Sequence, residues 1–156
     1  MPNANYIQNI LFCDEVRTEQ SGKDIAIGIY NGNIIVPKFP WILTNFAIRL
    51  ELFFGGEKVD SIDFMIKDPL DNCVVQHKVP IVFFDYERSG NLTLNLSGLI
   101  LVMPGEYKIM TCLHEKWEVQ RVLTAEKFDP ATMQARMSWL KNRTAESADL
   151  ARVPTV

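Results

Sequence analysis

Soft metal ligands and ring bases are scarce in this chain: three cysteines and two histidines among 156 residues. Cys13, Cys73 and Cys112 stand far apart and no Cys-x-x-Cys pair exists, so the clustered ligands of a structural zinc site are missing. An odd, scattered set of thiols predicts reduced cysteines and a cytoplasmic protein. A basic surplus is missing too. With 16 Lys and Arg against 19 Asp and Glu, the net charge is −3, which argues against a phosphate-backbone binder and predicts no nucleic-acid partner. No apolar run approaches the ~20 residues of a membrane helix. Met1-Pro2-Asn3-Ala4-Asn5 lacks the basic-then-apolar pattern of a secretion signal, so no membrane partner is expected. Gly-x-Ser-x-Gly elbows and phosphate-cradling glycine loops do not occur.

What the chain does have is alternation. Phe46, Ile48, Leu50, Leu52 and Phe54 fall on one face of a strand, with Asn45, Ala47, Arg49 and Glu51 on the other. After Gly55-Gly56-Glu57-Lys58 the pattern resumes, Ile62, Phe64 and Ile66 opposing Ser61, Asp63 and Lys67. Two half-buried strands around a Gly-Gly turn predict one long hairpin over 44–67. Ile10–Cys13, Lys23–Tyr30, Leu92–Leu96, Leu99–Met103, Glu106–Leu113 and a last strand from Trp117 to near Thr124 read the same way. Pro37 and Pro40 make 37–41 a crossover or edge, and Pro80 divides Cys73–Phe84 into two short edge segments. About eight strands between turn signals, with no intervening helices, predict an all-β antiparallel sandwich, immunoglobulin-like or similar. That domain is expected over residues 1–124, with a helix and flexible tail over 125–156. Asp129-Pro130 caps a helix from about Ala131 to Asn142, and Met133, Met137 and Leu140 share one of its faces.

Chemistry is thin on the ground. Asp68, Asp71 and Asn72 form an oxygen-rich cluster that calcium could use if Asp14 and Glu15 or Asp85 and Glu87 lay nearby; Asp-Pro and Asp-Asn are also ordinary turn formers. Cys112 and His114 share a face two positions apart, yet a core thiol and a turn imidazole explain them as well. Asp60 with Asp63, or Glu51 with a cross-sheet partner, could do acid–base work, although outward faces are normally just solvated. Phe39, Trp41, Phe83, Phe84 and Tyr86 fall in proline-broken segments. They either close the ends of the sandwich or gather into an exposed patch, and the Met133–Met137–Leu140 stripe poses the same choice between docking on its own domain and on another chain.

Leu11-Phe12-Cys13-Asp14, Gly22-Lys23, Ile27-Gly28-Ile29-Tyr30, Phe39-Pro40, Leu96-Ser97-Gly98-Leu99 and Pro104-Gly105-Glu106-Tyr107 occur in that order. In this succession the chain, from about Leu11 to Thr124, resembles an uncharacterised group of small bacterial and phage β-sandwich proteins. The resemblance implies the fold and carries no activity, cofactor or functional residue with it.

The sequence therefore leads to a non-catalytic protein-interaction or structural module that recognises a protein partner or a second copy of itself and needs no cofactor. Phe39, Trp41, Phe83, Phe84, Tyr86, Met133, Met137 and Leu140 are the candidate surface, at the edge near Cys73–Phe84 or on the terminal helix. The rival readings are a ligand-binding protein or hydrolase with Asp14, Asp68, Asp71 and His77 converging in the inter-strand loops, and a calcium-dependent binding module.

Overall fold

A computed structural model describes residues 6–82, 85–135, 137–138 and 141–142. It contains twelve strands: β1 (Ile7–Cys13), β2 (Glu15–Thr18), β3 (Asp24–Ile27), β4 (Asn33–Val36), β5 (Trp41–Leu43), β6 (Ala47–Leu52), β7 (Ser61–Lys67), β8 (Cys73–Pro80), β9 (Gly90–Asn95), β10 (Leu99–Leu101), β11 (Gly105–Leu113) and β12 (Lys116–Lys127). They form four sheets. Three strands run in the order β1-β6-β9, five in the order β4-β12-β11-β7-β8, and β2–β3 and β5–β10 are two-stranded ribbons. The five-stranded sheet curls into a half-barrel, and no clean immunoglobulin-like sandwich results. Helical residues follow at 130–135, 137–138 and 141–142.

The two larger sheets share one core. Phe12, Ile48, Leu50 and Leu52 from the first meet Ile62, Phe64, Ile66, Tyr107, Ile109 and Leu123 from the second. Burying each such side chain contributes about 1.5–3 kcal/mol before the entropy of ordering is subtracted. Two polar links tie the layers together: the Tyr6 hydroxyl bonds the Thr111 hydroxyl at 2.5 Å, and Arg121 donates to the Ile10 carbonyl at 2.6 Å.

The alternation read from the sequence finds its buried faces: Phe46, Ile48, Leu50, Leu52, Ile62, Phe64 and Ile66 are all inside. The long hairpin is not formed. β6 pairs with β1 and β9, whereas β7 pairs with β11 and β8, so the Gly55-Gly56 turn carries the chain from one sheet to the other. A one-sided pattern states which face is buried but not which strand lies alongside, and two strands facing each other across a core satisfy it equally well.

Other expectations need correcting. Twelve strands replace about eight, because β2–β3 and β5–β10 are short ribbons. The pairing is not wholly antiparallel, since β4 runs parallel to β12 with Asn33 opposite Thr124 and Val36 opposite Lys127. Cys73–Pro80 is a single edge strand with proline at its last position, where the next ladder bond is made by the Ile81 amide to the Asp60 carbonyl at 2.9 Å and none is asked of Pro80. β12 continues past Thr124 to Lys127. Ile25, Ile27 and Ile29 do share a periodicity, yet they are 43%, 40% and 52% exposed, because among the described residues β3 pairs only with β2 and nothing covers its apolar side. The expected tail beyond residue 142 lies outside the described residues.

Candidate functional site

The five-stranded sheet has an outer face as ordered as its inner one. Directly paired residues lie on the same side of a sheet, so the register defines three parallel rows. The middle row runs Val119, Met110, Met65, Gln76 across β12, β11, β7 and β8. On one side of it lies Trp117, Cys112, Asp63, Lys78; on the other, Val122, Lys108, Lys67, Cys73. Val119 is 51% exposed, Trp117 and Val122 36% each, and Met65 and Met110 are half-buried. An apolar band thus crosses the sheet from β12 to β7, broad at Trp117 and Val122 and flanked by Lys108, Asp63 and Lys67 as it narrows. The largest apolar patches on soluble monomers are often functional.

Two local features of β11–β12 place this band. His114 and Glu115 both have positive φ, 52° and 62°, making the two-residue turn that suits the twist of a hairpin. Farther along, Met110 pairs with Val119 and Ile109 with Arg121, so Gln120 is an extra residue, a bulge. It re-phases the strand. Trp117 and Val119 face outward before it, and Val122 and Thr124 after it, while Arg121 turns inward to lie 5.3 Å over the Phe12 ring.

The side chains singled out from sequence occupy other places. Phe39, Trp41 and Tyr86 are partly buried and packed against the core. Met133 is half-buried and lines a small cavity of about 60 Å³ with Ile35, Phe128 and Thr132, so the start of the helix rests on the ends of β4 and β12. Asp129 caps that helix, accepting from the Ala131 amide at 3.1 Å and the Thr132 hydroxyl at 2.7 Å, bonds that hold its carboxyl below the usual range. Met137 is 51% exposed. Phe83, Phe84 and Leu140 lie outside the described residues.

Asp68, Asp71, Glu15, Asp85 and Asp14 are each engaged by a partner of their own. Asp68 is buried and accepts at Oδ1 from the Leu70 and Asn72 amides, both at 2.9 Å, and at Oδ2 from the Asn72 side chain at 3.1 Å. Burial alone would raise its pKa; these bonds outweigh that and lower it. Asp71 pairs with Lys108 at 2.9 Å, Glu15 with Arg17 at 2.9 Å, and Asp85 with Arg88 at 3.2 Å. Asp14 accepts from the Tyr30 hydroxyl, whose pKa is raised first by burial and then by that bond and charge. His114 bonds Glu57 at 2.9 Å, and His77 is exposed on β8. Burial and the neighbouring Asp63 push the Cys112 thiol up, the opposite of what a nucleophile needs. Among the described residues no three His, Cys, Asp or Glu are grouped to hold a metal ion.

A second concavity, about 260 Å³, opens where β1 and β9 end and β6 begins. Asp14, Glu15, Asn45, Asn95 and Ser97 line it over Phe46. Its frame is fixed by the Ala47–Asn95 pairing and by the Leu96 amide bonding the Phe46 carbonyl at 2.7 Å. Of the loop residues expected to converge, Asp14 is here, whereas Asp68 and Asp71 occupy the β7–β8 turn.

Met65 and Met110 were not among the residues singled out. The signal was present in Met65, an apolar side chain set between Asp63 and Lys67 on the polar side of its strand.

No curated protein matches the chain. A family model does, over residues 8–126, from the second residue of β1 to the penultimate residue of β12. The strands that make both large sheets and the outer band fall almost wholly within that match, and the chain belongs to DUF6941, a family of unknown function.

Proposed function

We propose that this protein is a non-catalytic recognition module that works by covering the outer face of its five-stranded sheet with another protein surface. The row Val119–Met110–Met65 carries the reading. A sheet whose inner face already closes a core has no internal use for methionines and a half-exposed valine on its outer side, and methionine suits surfaces that adapt to a partner. Three free thiols agree with a reducing compartment, and we place the protein in the cytoplasm on that ground.

The test is a methionine-oxidation footprint taken in cells and on the dilute purified chain. Met65 and Met110 are expected to oxidise in the dilute protein and to be protected in cells, with Met137 serving as an exposed control. Equal oxidation of both in the two settings would overturn the reading.

The polar cleft supports a second reading, that of a ligand carrier. Five hydrogen-bonding side chains stand around it, and at about 260 Å³ it sits just below the roughly 300–1,000 Å³ of drug-sized sites, so its ligand would be small. Paired Asn45→Ala and Asn95→Ala substitutions that left every small-molecule-induced melting shift unchanged would remove it.

A further inference from the structure

We infer that the occupant of the outer face is a second copy of this chain, related by a two-fold axis that lies between the two sheets and runs across their strands through the Val119–Met110–Met65 row. The inference rests on the reading above and adds the partner and its geometry.

Self-complementarity selects the axis. In a two-fold contact the same patch serves both partners, so each residue on one side must suit the residue the axis brings to it. Face-to-face sheets pack with their strands within about 30° of alignment, which leaves two simple axes in the plane of contact. An axis across the strands keeps each strand over its own copy and exchanges the two outer rows. Asp63 then meets Lys67 of the second copy, and Lys67 meets its Asp63, giving two ion pairs from one strand. Trp117 meets Val122, and the middle row meets itself: methionine on methionine, valine on valine. Lys78 faces Cys73 and Lys108 faces Cys112, so among these three rows no like charges oppose.

An axis along the strands does worse. It exchanges the strands and leaves each row in place, setting Lys67 against Lys108 twice and Asp63 against Cys112. Lys108 keeps Asp71 at 2.9 Å, which offsets part of that repulsion but supplies no attraction for Lys67. Like charges brought together across an interface are strongly disfavoured.

The curl of the sheet limits the area. Its outer side is convex, so contact concentrates on the middle row and its immediate neighbours. Interfaces burying less than about 1,200 Å² in total belong to weak, transient complexes. A reversible, concentration-dependent dimer is therefore expected, strengthened by low salt through the two Asp63–Lys67 pairs.

Cysteine cross-linking separates the two axes. In a Cys73→Ser background, Met65→Cys places one thiol close to the axis in each copy. On mild oxidation it should give a disulfide-linked dimer by itself, and Met110→Cys should do the same. An axis along the strands would instead link Met65→Cys chains only to Met110→Cys chains in a mixture. Sedimentation then reads the charges: Asp63→Lys should weaken the dimer roughly tenfold or more, and Asp63→Lys combined with Lys67→Asp should restore it. Mixed-only cross-links, or a double variant no better than the single one, overturn the geometry. A purified chain that stays monomeric at every concentration overturns the second copy as partner. If Met65 and Met110 are nonetheless protected in cells, the recognition reading stands and only this inference fails.

Discussion

At the scale of single residues, Gly28 shows how tightly one side chain can depend on another's absence. Its φ is +68°, and a Cβ built there would overlap the Asp14 carboxylate, which is held against it by the Tyr30 hydroxyl. Gly28→Ala therefore combines a left-handed backbone with a steric conflict. It should destabilise by about 1–3 kcal/mol in a denaturant titration. The isoleucines on either side, Ile27 and Ile29, are exposed and should tolerate polar substitution within about 0.5 kcal/mol. Asp68 contributes on the acid side. Its folded pKa lies below the unfolded value of about 3.9, so its contribution is complete above that pH and is lost as pH falls through the folded value. Asp71, paired with Lys108, and Asp129, bonded by Thr132, shift in the same direction. Asp68→Asn should lower the melting temperature at pH 7 and make its decline below about pH 4 shallower than in the parent chain; an unchanged acid limb would show that the turn does not couple to folding.

At the scale of elements, the sequence was legible wherever burial alternates. The inward faces of β6, β7 and β11 could be read off Phe46 to Leu52, Ile62 to Ile66, and Tyr107 to Thr111, because the core demands every second residue and tolerates few exceptions. What lies beside each strand was not legible. The Gly55-Gly56 turn looks the same whether it closes a hairpin or crosses between layers, and only the ladders of β1, β9, β8 and β11 decide. The outer band was hidden for a related reason. Met65 sits singly between Asp63 and Lys67 and Met110 between Lys108 and Cys112, and their alignment exists only across strands. The bulge at Gln120 hid the rest, since plain alternation from Trp117 and Val119 would send Arg121 outward. Because the inward and outward positions already alternate correctly around it, deleting Gln120 should leave β12 in register. The prediction is a folded variant, less stable by no more than about 2 kcal/mol, with the Arg121–Ile10 bond retained; loss of cooperative unfolding would contradict it.

At the scale of the whole molecule, the last strand closes the structure onto its first third. Residues 125–127 pair with Ile34–Val36, and the Phe128 amide bonds the Val36 carbonyl at 2.7 Å. Truncation after Phe128 should leave a cooperatively melting core, whereas truncation after Thr124 should strip the bonding partners from β4 and abolish or strongly weaken that transition, as circular dichroism would report. The parallel β4–β12 pair has a further consequence for how the protein is made. Asn33 and Glu126 bond across 93 positions, Ile10 and Arg121 across 111, so the N-terminal strands leave the ribosome long before the strand that seals them exists. At about 5–20 residues per second, they wait for several seconds with their ladders open. The five-stranded sheet thus cannot complete its ladders until β12 has been made, and until then β4 and β11 each lack the neighbour that β12 supplies.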